Sequence, residues 1–204
     1  MILCIIQARM GSTRLPGKVL MDINGQPMIE WVINAAEQSN CNRVVVATTA
    51  NEEDRILVDR YDAIPINRKL PNGKNDVLAR YYDVAKMFNP DHVLRLTGDC
   101  PMVLPDVVNG VIDLHLSGGY DFTHAERAVG GYPNGLGAEI MSMEALDYAH
   151  WTAIDWYDRE HVTPIFYRTK GIYNVGFYPA PRFSVDTRED LDSIRWLMGG
   201  VDDV

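Results

Sequence analysis

The stretch QARMGSTRLPGK at residues 7–18 follows directly on the apolar run ILCII at residues 2–6. The apolar run predicts a buried strand, and the glycines of the loop allow backbone N–H groups to approach a ligand closely. Three cations, Arg9, Arg14 and Lys18, lie in the same loop. Because consecutive N–H groups in a turn form a concave anion site, we expect a nucleotide triphosphate to bind here.

The alternative for this basic loop is an ordinary solvated surface turn. The whole chain carries a formal net charge of −9, so three cations in one loop stand out against an acidic background and favour the ligand site. The loop contains neither G-x-x-x-x-G-K-[ST] nor G-x-G-x-x-G, the two common nucleotide fingerprints. A phosphate site at this position therefore belongs to a third type.

The composition is that of an ordinary globular protein, with 47% hydrophobic and 23% charged residues among 204. This length fits one domain covering residues 1–204. The negative charge argues against nucleic-acid binding, and no apolar run approaches the roughly 20 residues of a membrane span. The three cysteines form no C-x-x-C pair, which suits a reducing compartment, so we expect a cytoplasmic protein.

Apolar strands alternate with amphipathic helical patterns along the first half of the chain. Strands are predicted at residues 2–6, 44–48, 63–66 and 91–96, and helices at about 28–36, 51–61, 77–88 and 105–116. The second half is more mixed, with strands at 120–124, 138–142 and 173–178 and helices at 143–154, 159–168 and 188–197. This order predicts an α/β protein with a mostly parallel sheet, whose ligands bind beyond the carboxyl ends of the strands.

Two carboxylates are predicted at that edge of the sheet. Asp99 follows the fourth strand, between Gly98 and a proline two residues on, and Asp186 ends a short apolar run. Taken alone, Asp99 fits an Asx turn and Asp186 fits a helix N-cap. Together, beside a triphosphate, they offer the oxygen ligands that Mg²⁺ prefers. We therefore expect the two carboxylates to converge on one metal ion.

Three further segments have both a functional and a structural interpretation. Asn75 and Asp76 begin a helix, where they can contact a ribose or base or simply cap the helix. The glycine-rich segment at 132–139 can wrap an acceptor substrate or form a flexible surface loop. The segment at 159–164 contains His161, and a single histidine is more often structural than catalytic.

Taken together, these segments resemble the sugar-acid cytidylyltransferases, which include the 3-deoxy-manno-octulosonate and acylneuraminate enzymes. The similarity rests on RMGSTRLPGK at 9–18, LTGDCP at 96–101 and VDTREDL at 185–191. Residues 75–82 and 160–164 are most similar to the spore-coat polysaccharide branch of that family. The resemblance spans about residues 2–197.

This resemblance implies a three-layer α/β/α fold with a mixed, mostly parallel sheet, of the glycosyltransferase-A-like and Rossmann-like type. It implies transfer of CMP from CTP to an anionic sugar, with release of pyrophosphate and with Mg²⁺ as cofactor. A homodimer is also implied, and we expect the stretch at 120–132 to form part of the contact. The acceptor segment, about residues 120–140, departs from the octulosonate enzymes, so the sugar stays open.

The residues of the site follow from the same resemblance. The triphosphate is expected at Arg9, Gly11, Ser12, Arg14 and Lys18, and the nucleoside near Asn75 and Asp76. The expected catalytic residues are Arg14, Lys18 and Asp99, and the expected metal ligands are Asp99 and Asp186.

Two other functions are open alternatives. A glycosyltransferase that uses a finished nucleotide-sugar requires a D-x-D-type metal motif at a strand end, where this chain has Asp99-Cys100-Pro101. A non-catalytic nucleotide-binding module is expected to have lost Lys18, Asp99 or Asp186, and all three are present.

Overall fold

The computed structural model describes residues 1–126, 137–169, 171–179 and 187–197. Three of the sequence predictions concern residues outside these ranges. They are the metal ligand Asp186 with the short strand before it, most of the glycine-rich acceptor segment at 132–139, and the second half of the dimer contact expected at 120–132.

A seven-stranded sheet forms the centre of the described chain, with a separate two-stranded hairpin beside it. The strands are β1 (Ile2–Gln7), β2 (Asp22–Ile23), β3 (Gln26–Pro27), β4 (Arg43–Thr48), β5 (Ile64–Pro65), β6 (His92–Thr97), β7 (Phe122–Glu126), β8 (Glu139–Ser142) and β9 (Val175–Pro179). The helices are α1 (Met28–Glu37), α2 (Arg55–Tyr61), α3 (Val77–Phe88), α4 (Pro105–Gly118), α5 (Met143–Thr152), α6 (Trp156–His161), α7 (Pro164–Arg168) and α8 (Arg188–Leu197).

The large sheet has the strand order β5-β4-β1-β6-β8-β7-β9. Strand β8 runs antiparallel to both of its neighbours, whereas the other adjacent pairs are parallel. The mixed, mostly parallel sheet expected from the sequence is therefore confirmed. Strand β1 lies inside the sheet and is buried on both faces, which explains its unbroken apolar run.

The two faces of β1 pack against different helices. Cys4 and Ile6 belong to a cluster with residues of α1, α2 and α4, including Val32, Leu57 and Val108. Leu3 and Ile5 point to the opposite face and belong to a cluster with residues of α3, α5 and α7, including Leu78, Leu146 and Phe166. Since side chains alternate along a strand, this division confirms the three-layer α/β/α arrangement.

Two helix predictions need correction. The helix expected at 159–168 is two helices, because Val162 adopts φ 70 and ψ −54 between α6 and α7. The helix expected at 51–61 opens with a 3-10 turn at Glu52–Asp54, and α2 begins at Arg55. Of the two neighbouring apolar residues in the middle of this segment, Leu57 is buried, whereas Ile56 is 45% exposed.

The close approach of two loops positions the site. Gly98, after β6, donates its N–H to the carbonyl of Gln7 at 2.8 Å. A Cβ at position 98 would lie 3.1 Å from the Cβ of Ala8, so a larger residue there would push the loops apart. Among the described residues, no helix combines the length and apolar character needed to cross a membrane.

Candidate active site

A cleft of about 390 Å³ opens at the carboxyl ends of β1 and β6. Six of the residues expected at the site line this cleft: Arg9, Ser12, Arg14, Lys18, Asn75 and Asp99. Ten further residues line it that were not among the expected site residues, and the polar ones are Gln7, Thr13, Arg80, Arg95, Thr97, Glu160 and His161. The structure thus brings together the basic loop, the Asp99 turn, the start of α3 and the end of α6.

The basic loop is held in shape by a buried carboxylate. Asp54, which is fully buried, accepts the Met10 N–H at 2.6 Å and the hydroxyl of Thr49. The Ser12 and Gly17 N–H groups both donate to the Met10 carbonyl at 2.8 Å. A Cβ at Gly11 would meet only the end of the exposed Glu53 side chain, which can move aside. The loop is therefore held in shape by Asp54 and by the Met10 carbonyl, and Gly11 lies outside the cleft lining.

Lys18 differs from the other two cations of the loop. It follows Gly17, whose φ of 73 suits glycine, and begins a 3-10 turn that turns the side chain inward. The residue is only 8% exposed, whereas Arg14 is exposed and Arg9 is intermediate. Lys18 Nζ lies 2.6 Å from Asp99 Oδ2. A lysine that only faced a ligand would make no core contact, and the burial of Lys18 contradicts that for this residue, although it also lines the cleft.

Asp99 lies in a tight turn after β6, as the sequence predicted. The Cys100 N–H donates to the Thr97 carbonyl at 3.1 Å, which closes the turn. The Asp99 carboxylate contacts Lys18 at 2.6 Å and the Cys100 thiol at 4.0 Å. Its side chain is 31% exposed and lines the cleft. This geometry favours the ligand-facing interpretation over an Asx turn.

Cys100 itself is unsuited to nucleophilic chemistry. Burial, with a smaller contribution from Asp99, raises the pKa of its thiol to about 12. The thiol therefore stays protonated near neutral pH, and the thiolate is the reactive form.

Asn75 and Asp76 have different surroundings. Asn75 lines the cleft. Asp76 is the N-cap of α3, where Oδ1 accepts the Ala79 N–H at 3.0 Å and Oδ2 pairs with Arg159 at 2.7 Å. The helix-cap interpretation therefore describes the contacts of Asp76. Its carboxylate joins the start of α3 to α6 and so positions the neighbouring Asn75.

Helices α6 and α7 meet beside the cleft at a corner that the sequence did not predict. Glu139 Oε1 accepts the Thr163 hydroxyl at 2.9 Å, and its other oxygen pairs with Arg95. On the other side, Lys74 Nζ lies 3.1 Å from Glu160. The backbone strain at Val162 falls between these anchors, and such strain tends to cluster at functional sites. His161 is thereby held against the cleft.

Arg95 and His161 make this wall polar. Burial lowers the pKa of His161 below its ordinary value. The nearby cations Arg95 and Lys74 lower this pKa further, whereas Glu160 raises it. The imidazole is therefore neutral near pH 7 and can accept a hydrogen bond or a proton. Sequence reasoning missed this role because a single histidine, with no partner nearby in the chain, gives no spacing signal.

Arg80 forms the floor of the cleft near the start of α3. The residue is fully buried, and its Nε donates to the Ile66 carbonyl at 3.2 Å. Among the residues that the structure describes, none is a hydrogen-bond partner of its two terminal nitrogens. Burial lowers the pKa of the guanidinium. Sequence reasoning missed Arg80 because it lies among the apolar positions of an amphipathic helix.

Metal binding depends on a residue that the structure does not describe. Within residues 1–126, 137–169, 171–179 and 187–197, no three His, Cys, Asp or Glu side chains cluster as metal ligands. Asp99 is available at the cleft, and its expected partner Asp186 lies outside those ranges. The convergence of the two carboxylates stays a prediction.

The chain matches a protein-family model described as cytidylyltransferase over residues 3–197. It is 34% identical over 211 residues to a spore coat polysaccharide biosynthesis protein of Bacillus subtilis. The alignment covers 96% of this chain and 85% of that protein. It is 30% identical over 217 residues to a 3-deoxy-manno-octulosonate cytidylyltransferase of a Bradyrhizobium species. That alignment covers 98% of this chain and 86% of the other protein.

Solved structures agree with this match. A cytidylyltransferase from Leptospira borgpetersenii superposes with a TM-score of 0.82 at 28% identity, covering 95% of this chain and 84% of that one. A CMP:2-keto-3-deoxy-manno-octonic acid synthetase complexed with CTP superposes with a TM-score of 0.72, covering 97% and 98%. At 22% identity the second likeness shows the fold alone.

Proposed function

The chain belongs to the cytidylyltransferase family, and from that premise we propose that it transfers CMP from CTP to an anionic sugar and releases pyrophosphate. The proposed acceptor is a sugar acid of the octulosonic or nonulosonic type. The relatives named above support this class, since one acts on 3-deoxy-manno-octulosonate and another serves spore coat polysaccharide synthesis. The product would then be used to build a surface polysaccharide or glycan.

One observation supports the proposal most strongly. The cations of the basic loop and the Asp99 carboxylate line the same cleft, joined by the contact between Lys18 and Asp99. Cations suit the phosphates, and a carboxylate beside them suits a metal that also binds phosphate.

In the proposed reaction, a hydroxyl oxygen of the acceptor forms a bond to the α-phosphorus in line with the bond that breaks. The electron pair of that broken bond leaves with the bridging oxygen of pyrophosphate. Arg9, Arg14 and Lys18 hold the phosphate oxygens and stabilise the charge that develops on the leaving group. Catalysis of this kind consists mainly of positioning and electrostatic stabilisation.

The residues present fit a magnesium ion. The Asp99 carboxylate is partly exposed to the cleft, and Mg²⁺ takes one or two carboxylates together with substrate phosphates. Asp99 and Asp186 would hold the ion. When bound, it supplies charge neutralisation at the phosphates and lowers the pKa of a bound hydroxyl.

The corner between α6 and α7 is the proposed acceptor wall. Arg95 offers a positive charge for the acceptor carboxylate, and neutral His161 can take the proton of the attacking hydroxyl. Both line the same cleft as the basic loop. Their anchoring through Glu139 and Thr163 provides the fixed geometry that an in-line attack requires.

The homodimer implied by the sequence resemblance is part of this proposal. Of the stretch expected to form the contact, the structure describes residues 120–126. Sedimentation velocity at micromolar concentration is expected to give a dimer, and a monomer would refute this part.

A pyrophosphate-release assay tests the proposed function. CTP, UTP, ATP and GTP are each combined with a panel of acidic sugars, with neutral sugars as a matched control. We expect release with CTP and one acidic sugar only. Release that prefers another nucleotide, or that requires a neutral sugar, would contradict the proposal.

A further inference from the structure

We propose that Arg80 reads the nucleobase, by donating its two terminal nitrogens to the adjacent O2 and N3 acceptors of cytosine. This inference rests on the proposed function, because it assigns the specificity of the same cleft to Arg80, a residue to which the resemblance gave no role. Cytosine presents two neighbouring acceptors on its pairing edge. Uracil presents a donor at N3, which would face the Arg80 donors.

The first argument is the unpaired state of the guanidinium. Arg80 is fully buried, its Nε donates to the Ile66 carbonyl, and its terminal nitrogens have no partner within the described part of the chain. A buried charge without hydrogen bonds is costly, and such groups call for an explanation. Because Arg80 also lines the cleft, a ligand that enters the cleft is the partner that the guanidinium lacks.

The second argument is the position of Arg80 relative to Asp99. Ile66, which holds the guanidinium, follows β5, and Asp99 follows β6. In the strand order β5-β4-β1-β6 these two strands lie on opposite sides of β1. The basic loop leaves the end of β1, between them. A nucleotide whose phosphates lie between the basic loop and Asp99 can extend within the same cleft to the β5 side, where Arg80, Asn75 and Val77 line it.

The third argument is electrostatic. The charged groups that act on Arg80 are the cation Arg9 and the carboxylates Asp54 and Asp76. Asp76 is itself paired with Arg159, and Asp54 accepts the Met10 N–H and the Thr49 hydroxyl, so neither carboxylate pairs with Arg80 and both would repel a phosphate here. A planar neutral base with a matched pair of acceptors suits this end of the cleft better, and a buried donor left unpaired by the wrong base gives strong discrimination.

Calorimetry on the full chain tests the inference, with CTP, UTP and inorganic tripolyphosphate as probes. The variants are Arg80→Met, which removes the donors, and Arg80→Lys, which keeps the charge but not the paired geometry. The matched control is Arg55→Met on α2, where Arg55 is a surface residue whose ion pair with Asp59 spans 3.8 Å.

We expect Arg80→Met and Arg80→Lys to weaken CTP binding by about 10- to 100-fold, the range of a lost bidentate base contact. The preference for CTP over UTP is expected to fall by a similar factor. Tripolyphosphate has no base for Arg80 to contact. Its binding is therefore expected to stay within about twofold of the wild-type value. The Arg55→Met control is expected to match the wild type with all three probes.

Three results would overturn the inference. An equal loss of tripolyphosphate and CTP binding would show that Arg80 holds phosphate. An unchanged preference for CTP over UTP in both variants would show that it does not read the base. If Arg80→Met fails to fold, Arg80→Lys with wild-type selectivity would show a structural role. A wild-type protein that turns over no CTP would instead contradict the proposed function, whatever the binding data.

Discussion

Lys18 Nζ lies 2.6 Å from Asp99 Oδ2, across the junction of the loops that follow β1 and β6. The lysine side chain is 10% exposed and the aspartate side chain 31%. The pair joins the expected phosphate-binding loop to the expected metal ligand. A ligand that binds both groups must exchange this contact for its own, so the two residues are expected to act together.

Lys18 and Arg14 are predicted to respond differently to substitution. Lys18→Met leaves the Asp99 carboxylate without its cation, so we expect a loss of about 1–3 kcal/mol in the free energy of unfolding. Arg14→Met alters an exposed side chain and is expected to leave stability within about 0.5 kcal/mol. Both are expected to weaken CTP binding by about 10- to 100-fold. Thermal melts and calorimetry measure these effects, and unchanged CTP binding in both variants would show an ordinary surface loop.

Asp99→Asn is predicted to abolish Mg²⁺-dependent turnover. Repulsion between clustered carboxylates, considered alone, would make this variant as stable as the wild type or more so. The contact with Lys18 adds the opposite effect, and we expect a net loss of about 1–2 kcal/mol. Turnover against Mg²⁺ concentration and a thermal melt without nucleotide check this. A variant that is strongly destabilised yet fully active would show a structural role only.

Asp54 is predicted to act as a positioning residue for the basic loop. Asp54→Ala removes the acceptor of the Met10 N–H and the Thr49 hydroxyl, with an expected stability loss of about 1.5–3 kcal/mol. Tripolyphosphate affinity is expected to fall as well, since the loop loses its anchor. Asp54→Asn keeps an acceptor and should rescue part of both. Asp59→Asn, on the exposed side of α2, is the control. Equal effects of the Asp54 and Asp59 substitutions would contradict the assignment.

The stability of the protein is predicted to fall in mild acid through His115. This residue is 1% exposed, with its ring nitrogens 3.1 Å from His92 and 3.2 Å from Thr123. Burial, then His92, lowers its pKa to about 4. The unfolded chain binds a proton at His115 more readily than the folded chain does. The contribution of neutral His115 to the free energy of unfolding is therefore complete above about pH 6.5 and is lost as pH falls towards 4.

The expected size of that effect is up to about 3 kcal/mol. Chemical denaturation at several pH values between 4 and 7 measures it against His115→Gln, which does not titrate there. The difference in the free energy of unfolding between wild type and variant should change across this range. A constant difference would contradict the prediction.

Much of the fold could be predicted from local sequence. The β-branched and apolar runs of β1, β4 and β6 gave their positions within one or two residues, and the alternation with helices indicated the parallel sheet. At the start of α8, Thr187 and Asp190 have the spacing of a capping box, with Asp in place of the usual Glu or Gln, and the two residues exchange hydrogen bonds at 2.8 and 3.1 Å. These features depend on near neighbours in the chain, which a sequence displays.

The remaining features of the fold and of the site depend on contacts between residues that are far apart in the sequence. The break at Val162 is a strained backbone position held by Glu139 and Lys74, which lie far away in the sequence. Arg80 and Arg95 occupy core-facing positions of a helix and a strand, where a charged residue gives no periodic signal. The burial of Lys18 depends on Asp99 and on the turn at Gly17. The basic loop could be identified from its residues, but the opposite wall of the cleft could not.

The fate of labelled CTP tests the central claim most directly. The protein is incubated with CTP labelled at either the α- or the γ-phosphorus, together with the acidic sugar that supports turnover. The account predicts that the α label appears in the sugar product and the γ label in pyrophosphate. Transfer of the γ label to the sugar, or no transfer of the α label to any sugar acid, would contradict it.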